Sequence, residues 1–177
     1  PAQGQDGGAT KRAIETCADM LGMPCSRRLD VATFYTQFQL KPVGTRADVL
    51  VCGTTPCMLR GAEALMDVCR SKIHPEPFHL NDSGTLSWEE VECQGACVNA
   101  PMVAIGMDTY EDLTPERMEE IIDAFAAGQG DTLKPGPQIA RQFVAPESGE
   151  TSLTDVPKRQ ATGRTGNQAK VQPPTEA

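Results

Sequence analysis

At 177 residues the chain suits one domain with additional segments and is too short for two full domains. It carries 24 Asp and Glu against 16 Lys and Arg, a net charge of −8, and such an acidic chain excludes nucleic acid as the expected partner. No apolar run approaches the length of a bilayer span, so any membrane association is expected to run through partner proteins.

The chain opens on Pro1-Ala2 without an initiator methionine, which points to a start that is processed or lies upstream. Residues 1–9 are rich in Gly and Gln, lack periodicity and read as a loose end. Over 11–21, Ile14, Cys17, Ala18 and Leu21 recur at helical spacing, with Gly22 and Pro24 as the stop. Cys17 on that stripe is expected to be a buried core thiol, and Cys25 a thiol in the following turn. A second helix is expected over 26–39, with Phe34, Tyr35 and Phe38 used for packing. Lys41-Pro42-Val43-Gly44-Thr45 is a turn-rich connector.

A first strand is expected over 48–51. A helix follows over 59–73, its face formed by Ala62, Leu65, Met66, Cys69 and Ile73, with Pro56 near its start. Cys69 on that face reads as a core thiol. His74 and His79, the two histidines of the chain, read as solvated loop residues. A turn at 81–84 leads to a strand beginning near Thr85, and Glu89, Glu90 and Glu92 read as a solvated face. After the apolar run 102–105, residues 108–112 form a turn or short strand. Thr114 caps a helix with Pro115 at its first position and Met118, Ile121, Ile122 and Phe125 on its stripe; Gly128 ends it. Beyond that point Gly, Pro, Gln, Thr and Ser dominate, and too little apolar material remains to offset backbone entropy. The expected division is an N-terminal helical region (1–44), an α/β or α+β sheet domain (45–127) and an extended or disordered tail (128–177), with Ile139, Phe143 and Val144 as isolated anchors for a partner surface.

Four of the seven cysteines form a pattern. Cys52 and Cys57 make a C-x4-C pair after the first strand, and Cys93 and Cys97 make a C-x3-C pair before the second apolar run. Each pair lies in a Gly-bearing loop, with Pro56 and Pro101 close by, where backbone can come near a bound object. Four soft thiolates delivered as two pairs suit a centre with two metal ions, such as a [2Fe–2S] cluster. A structural zinc site with four cysteines is the main rival, although zinc ribbons favour the two-residue spacing in both pairs. An odd cysteine count without a secretory segment argues against disulfides and for a reducing compartment. The C-x-x-C of a redox dithiol and the C-x4-C-x2-C of plant ferredoxins are absent. So are P-loop, dinucleotide, G-x-S-x-G and H-E-x-x-H motifs.

Val51-Cys52-Gly53-Thr54-Thr55-Pro56-Cys57, Val91-Glu92-Cys93-Gln94-Gly95-Ala96-Cys97-Val98-Asn99-Ala100-Pro101-Met102, Tyr110-Glu111-Asp112-Leu113-Thr114 and the upstream Val31-Ala32-Thr33-Phe34-Tyr35-Thr36 together resemble the thioredoxin-like [2Fe–2S] subunit of respiratory complex I, NADH:quinone oxidoreductase. The resemblance covers about residues 11–125. It implies an α/β, thioredoxin-like [2Fe–2S] ferredoxin domain with an N-terminal helical region and an extended C-terminal tail. It also implies one cluster on Cys52, Cys57, Cys93 and Cys97, exchanging one electron with FMN in a partner flavoprotein subunit that also binds NADH. The chain would then work as a subunit of the oxidoreductase, with no NADH or quinone site of its own. Its place would be the cytoplasmic side of a bacterial inner membrane, or the matrix side in a mitochondrion. Gly53, Thr54, Gly95 and Ala96 are placed to offer backbone N–H donors to the sulfurs. The alternatives are the equivalent subunit of a soluble NAD-linked hydrogenase or formate dehydrogenase, and a structural zinc-binding subunit.

Overall fold

The computed structural model describes residue 3 and residues 7–35, 37–141 and 143–146. Five strands form one sheet: β1 (Ala47–Cys52), β2 (Leu86–Val91), β3 (Val103–Ile105), β4 (Asp108–Glu111) and β5 (Gly136–Pro137), in the order β2-β1-β3-β4-β5. β1 and β2 are parallel, with Cys52 opposite Val91, while β3 runs antiparallel to both β1 and β4. A parallel pair needs a crossover. Here α3 (Thr55–Leu59) and α4 (Ala62–Lys72) supply it. The helix expected over 59–73 is α4, and the short α3 precedes it; Gly61 at φ +106°, outside the range of a continuing helix, separates the two. Pro56 belongs to the first turn of α3.

Val49, Val51, Leu86 and Trp88 point to one face of the sheet. They pack there against Leu65, Met66 and Cys69 of α4 and Met118, Ile121 and Ile122 of α5 (Pro115–Ala126). The Thr114 hydroxyl caps α5 by accepting from the Arg117 N–H, as its sequence position predicts. Among the described residues no helix is long and apolar enough to cross a membrane.

The N-terminal helical region is α1 (Lys11–Met20) followed by α2 (Cys25–Phe34). Ile14 and Ala18 are buried, but Cys17 is only partly covered and Leu21 is exposed. α2 is shorter than expected, and Phe34, Tyr35 and Phe38 stand at 77%, 54% and 42% exposure instead of packing inward. Their helical spacing carried no information about which side has a neighbour.

The glutamate face also departs from expectation. Glu90 and Glu92 are exposed, but Glu89 is buried under the connector, where it accepts a hydrogen bond from Gln39 Nε2 at 2.9 Å. Asp48 shares that face and accepts from the Ser87 hydroxyl at 2.6 Å. Burial raises both carboxyls above their usual range, and the charge of Asp48 adds to the effect on Glu89. An acid raised on folding favours the folded state below its unfolded pKa, and that contribution is lost as pH rises through the folded value. Glu89→Gln is therefore expected to raise Tm at pH 7 by roughly 2–4 °C. The same variant should flatten the decline in stability above the ordinary carboxylate range, as calorimetry across pH 4 to 7 would read.

The sheet does not stop at residue 127. A 3-10 turn at Gly130–Thr132 precedes β5, which pairs in parallel with β4 through Tyr110–Gly136 and Glu111–Pro137. Ile139 is partly covered, whereas Phe143 and Val144 remain exposed. The expected tail after 146 lies outside the described residues.

Candidate metal centre

Parallel pairing brings the two cysteine loops together. β1 and β2 point the same way, so the loops at their C-terminal ends emerge side by side, the location favoured for ligands in open α/β sheets. The Gly53 N–H donates to the Val91 carbonyl at 3.0 Å and fixes the start of the first loop. Cys52 ends β1 and Cys57 lies in α3; both are buried, at 2% and 1% exposure. Ala62, Ala100, Met102 and Ala104 form a small apolar wall around them. Cys93 and Cys97 are exposed, and their sulfurs lie 3.3 Å apart. Gly95, between them, takes φ +88° and donates its N–H to Cys93 Sγ at 3.4 Å. Cys97 opens a 3-10 turn, Cys97–Asn99.

The thiols influence one another in a definite pattern. Burial pushes Cys52 upward, but hydrogen bonds from the Thr54 hydroxyl and N–H, the Cys57 thiol and the Gln94 N–H outweigh it, and the net shift is downward. The Thr54 hydroxyl lies 3.2 Å from Cys52 Sγ. Cys57 moves the other way: burial, the hydrogen bond with Cys52 and nearby thiolate charge push it up to about 12, against the backbone donor at Met102. In the exposed pair the Gly95 N–H leads in lowering Cys93, while the hydrogen bond with Cys93 leads in raising Cys97. Within each loop, then, one thiol is shifted downward and its partner upward. Between loops, Cys57 feels the charge of Cys97, and Cys93 feels that of Cys52.

The structure thus places the four sequence-predicted residues on neighbouring loops, as two thiol pairs. Among the described residues no group of three or more Cys, His, Asp or Glu side chains is placed to hold a metal ion together. Soft thiolates in two pairs fit a [2Fe–2S] group, whose irons each take two. The remaining cysteines are elsewhere. Cys17 and Cys25 belong to the N-terminal helices, and Cys69 is fully buried, with burial first among the causes that push its thiol up to about 12. His74 and His79 stack with ring centroids 4.9 Å apart on the loop between α4 and β2.

Of the N–H groups expected to face sulfur, Thr54 and Gly95 do so. The Gly53 N–H is committed to Val91. The donors at Gln94 and Met102 and the Thr54 side chain were not anticipated. Asn99 was missed as well; it is 1% exposed, and its place two residues after Cys97 in sequence does not by itself reveal that burial.

The sequence profile of the thioredoxin-like [2Fe–2S] ferredoxins matches residues 1–126. A subunit of the NADH-quinone oxidoreductase of Rhizobium meliloti (strain 1021) is 70% identical over 152 residues, covering 86% of this chain and 55% of that protein. The chain therefore spans about half the length of that relative. The corresponding NADH-quinone oxidoreductase subunit of Rickettsia bellii (strain RML369-C) is 52% identical over 123 residues, 69% of this chain and 73% of that one. Among solved structures, an NAD+-reducing [NiFe]-hydrogenase in the air-oxidized state superposes with a TM-score of 0.60 at 18% identity, over 70% of this chain and 22% of the other. At that identity the likeness is one of fold.

Proposed function

Since the chain belongs to the thioredoxin-like [2Fe–2S] ferredoxin family, we propose that it is the electron-carrying subunit of an NADH:quinone oxidoreductase, with Cys52, Cys57, Cys93 and Cys97 holding one [2Fe–2S] cluster and FMN and NADH bound in a neighbouring flavoprotein subunit. The relatives from Rhizobium and Rickettsia support the choice of complex. The observation that carries the metal assignment is the convergence of two cysteine pairs at the ends of parallel strands, one pair buried and one open to solvent.

When bound, such a cluster supplies a one-electron couple. The chain's own residues do the rest. Cys52 and Cys57 would hold the group from beside an apolar wall, and Thr54, Gln94, Gly95 and Met102 direct hydrogen bonds at sulfur that would offset its negative charge. Cys93 and Cys97, exposed to solvent, would hold it from the surface side. Met58, Leu59 and Val98, next to the cysteines in sequence, are 40%, 81% and 66% exposed and give a partner apolar surface to cover. The subunit is peripheral, on the cytoplasmic face of a bacterial inner membrane.

The purified chain is expected to contain iron and sulfide in equal amounts, to show an EPR signal only after reduction, and not to oxidise NADH with an artificial acceptor until flavoprotein is added. Zinc in place of iron would overturn the cluster. NADH oxidation by the chain alone would overturn the division of labour, and co-purification with nickel in a soluble assembly would move the chain to a hydrogenase.

A further inference from the structure

The segment that follows α5 returns to the metal centre. After β5, Arg141 places its guanidinium behind the turn that carries Cys97. Nη2 lies 3.1 Å from Asp112 Oδ1, and the two side chains are 8% and 4% exposed. Nη1 donates to Asn99 Oδ1 at 2.8 Å and reaches the Val98 carbonyl at 3.4 Å. Asn99 is in turn held on every side. Its Nδ2 donates to Glu111 Oε2 at 2.6 Å and to the Phe143 carbonyl at 3.0 Å. Its N–H donates to the Ala96 carbonyl at 2.9 Å, and its carbonyl accepts from the Asp112 N–H at 2.7 Å.

The second cysteine loop needs such an anchor. Residues 92–95, 97 and 98 are exposed, so packing cannot hold them, whereas Cys52 and Cys57 have an apolar wall. Asn99 is the first fully buried residue after Cys93, and Arg141 fixes its side-chain oxygen. We propose that Arg141 is a positioning residue for the metal centre, holding the Cys97–Asn99 turn and through it the exposed half of the thiol set; this rests on the reading of the four cysteines as ligands. Its charge is paired with Asp112, so it acts through geometry. A lysine retains the charge but cannot reach Asp112 and Asn99 as a planar fork does.

The test uses the full chain with its cluster, as wild type, Arg141→Ala, Arg141→Lys and Arg117→Ala. Arg117 is a control, since its Nε donates to Gln138 Oε1 at 3.0 Å and so ties down the same segment away from the turn. Both Arg141 variants are expected to shift the reduced-state EPR g values and to lose iron to a chelator about tenfold faster or more, the usual cost of removing a residue that orients metal ligands. Arg117→Ala is expected to lower Tm with spectrum and release rate unchanged. If Arg141→Ala does not fold, Arg141→Lys decides the matter. Arg141 variants that lower Tm yet keep the wild-type spectrum and release rate overturn the positioning role alone. A wild-type chain that takes up no iron and sulfide overturns the functional reading and this proposal with it.

Discussion

Serine at Cys52, Cys57, Cys93 or Cys97 abolishes or strongly alters the reduced-state EPR signal, whereas serine at Cys17, Cys25 or Cys69 leaves it in place: this is the expected result of single substitutions in the isolated chain. The contrast follows from where the sulfurs lie. The parallel β1–β2 pair brings the two thiol pairs onto neighbouring loops, and on the proposed reading each loop would supply one half-site. A serine oxygen is a harder donor and gives up its proton far less readily than a thiol, so a half-site with one serine holds iron poorly. Cys69 makes the sharpest control. It is wholly buried on α4, and its thiol, pushed up to about 12, stays protonated at neutral pH. A hydroxyl there meets an apolar surround, and the cost of about 1–3 kcal/mol falls on stability while the signal survives. An unchanged signal in any of the four ligand variants would remove that residue from the centre.

The cysteine pattern was legible because ligand chemistry and spacing are local in sequence. Two pairs of thiols in Gly-bearing loops after apolar runs define two half-sites before any fold is known. The helices with strong stripes were legible for the same reason, and the cap at Thr114 appears where its residue type placed it. What could not be read was set by contacts between distant segments. Glu89 is buried because the connector at Gln39 crosses over it, 50 residues away in sequence. Phe34, Tyr35 and Phe38, at and beyond the end of α2, are exposed because no described residue covers them. Asn99 and Arg141 are 42 residues apart, and neither has a flanking pattern that announces the other. The segment beyond 127 is poor in apolar residues, which argues that it forms no core of its own. Composition does not reveal that backbone pairing at Gly136 and one buried arginine suffice to dock its first part.

Two glycines near the first strand separate a structural close approach from a local one, and alanine substitutions are expected to tell them apart. At Gly44 a Cβ would run into backbone: the Ala47 carbonyl, Leu86 Cα at 2.5 Å and Leu86 C at 2.6 Å. The Gly44 N–H also donates to the Ser87 hydroxyl at 2.8 Å, and that hydroxyl donates onward to Asp48. Neither strand can retreat without breaking the β1–β2 ladder that starts at Ala47 and Leu86. Overpacking against backbone reaches about 3 kcal/mol, so Gly44→Ala is expected to lower Tm by roughly 6–12 °C. Gly53 differs in kind. The nearest atoms a Cβ there would meet belong to the side chain of Glu90, with its carboxyl carbon at 2.6 Å, and that exposed chain can swing into solvent. Gly53→Ala should therefore cost much less in Tm. The two sites also differ in what they disturb. Gly44 lies before the start of β1, and the six residues of that strand, at about 3.3 Å each, place Cys52 roughly 20 Å away. The reduced-state EPR spectrum of Gly44→Ala below its melting range is accordingly expected to match the wild type. A Tm within about 1 °C of wild type would show that the connector does not press on β2 as described, and a changed spectrum would show that strain at the strand's start reaches the cysteine loops.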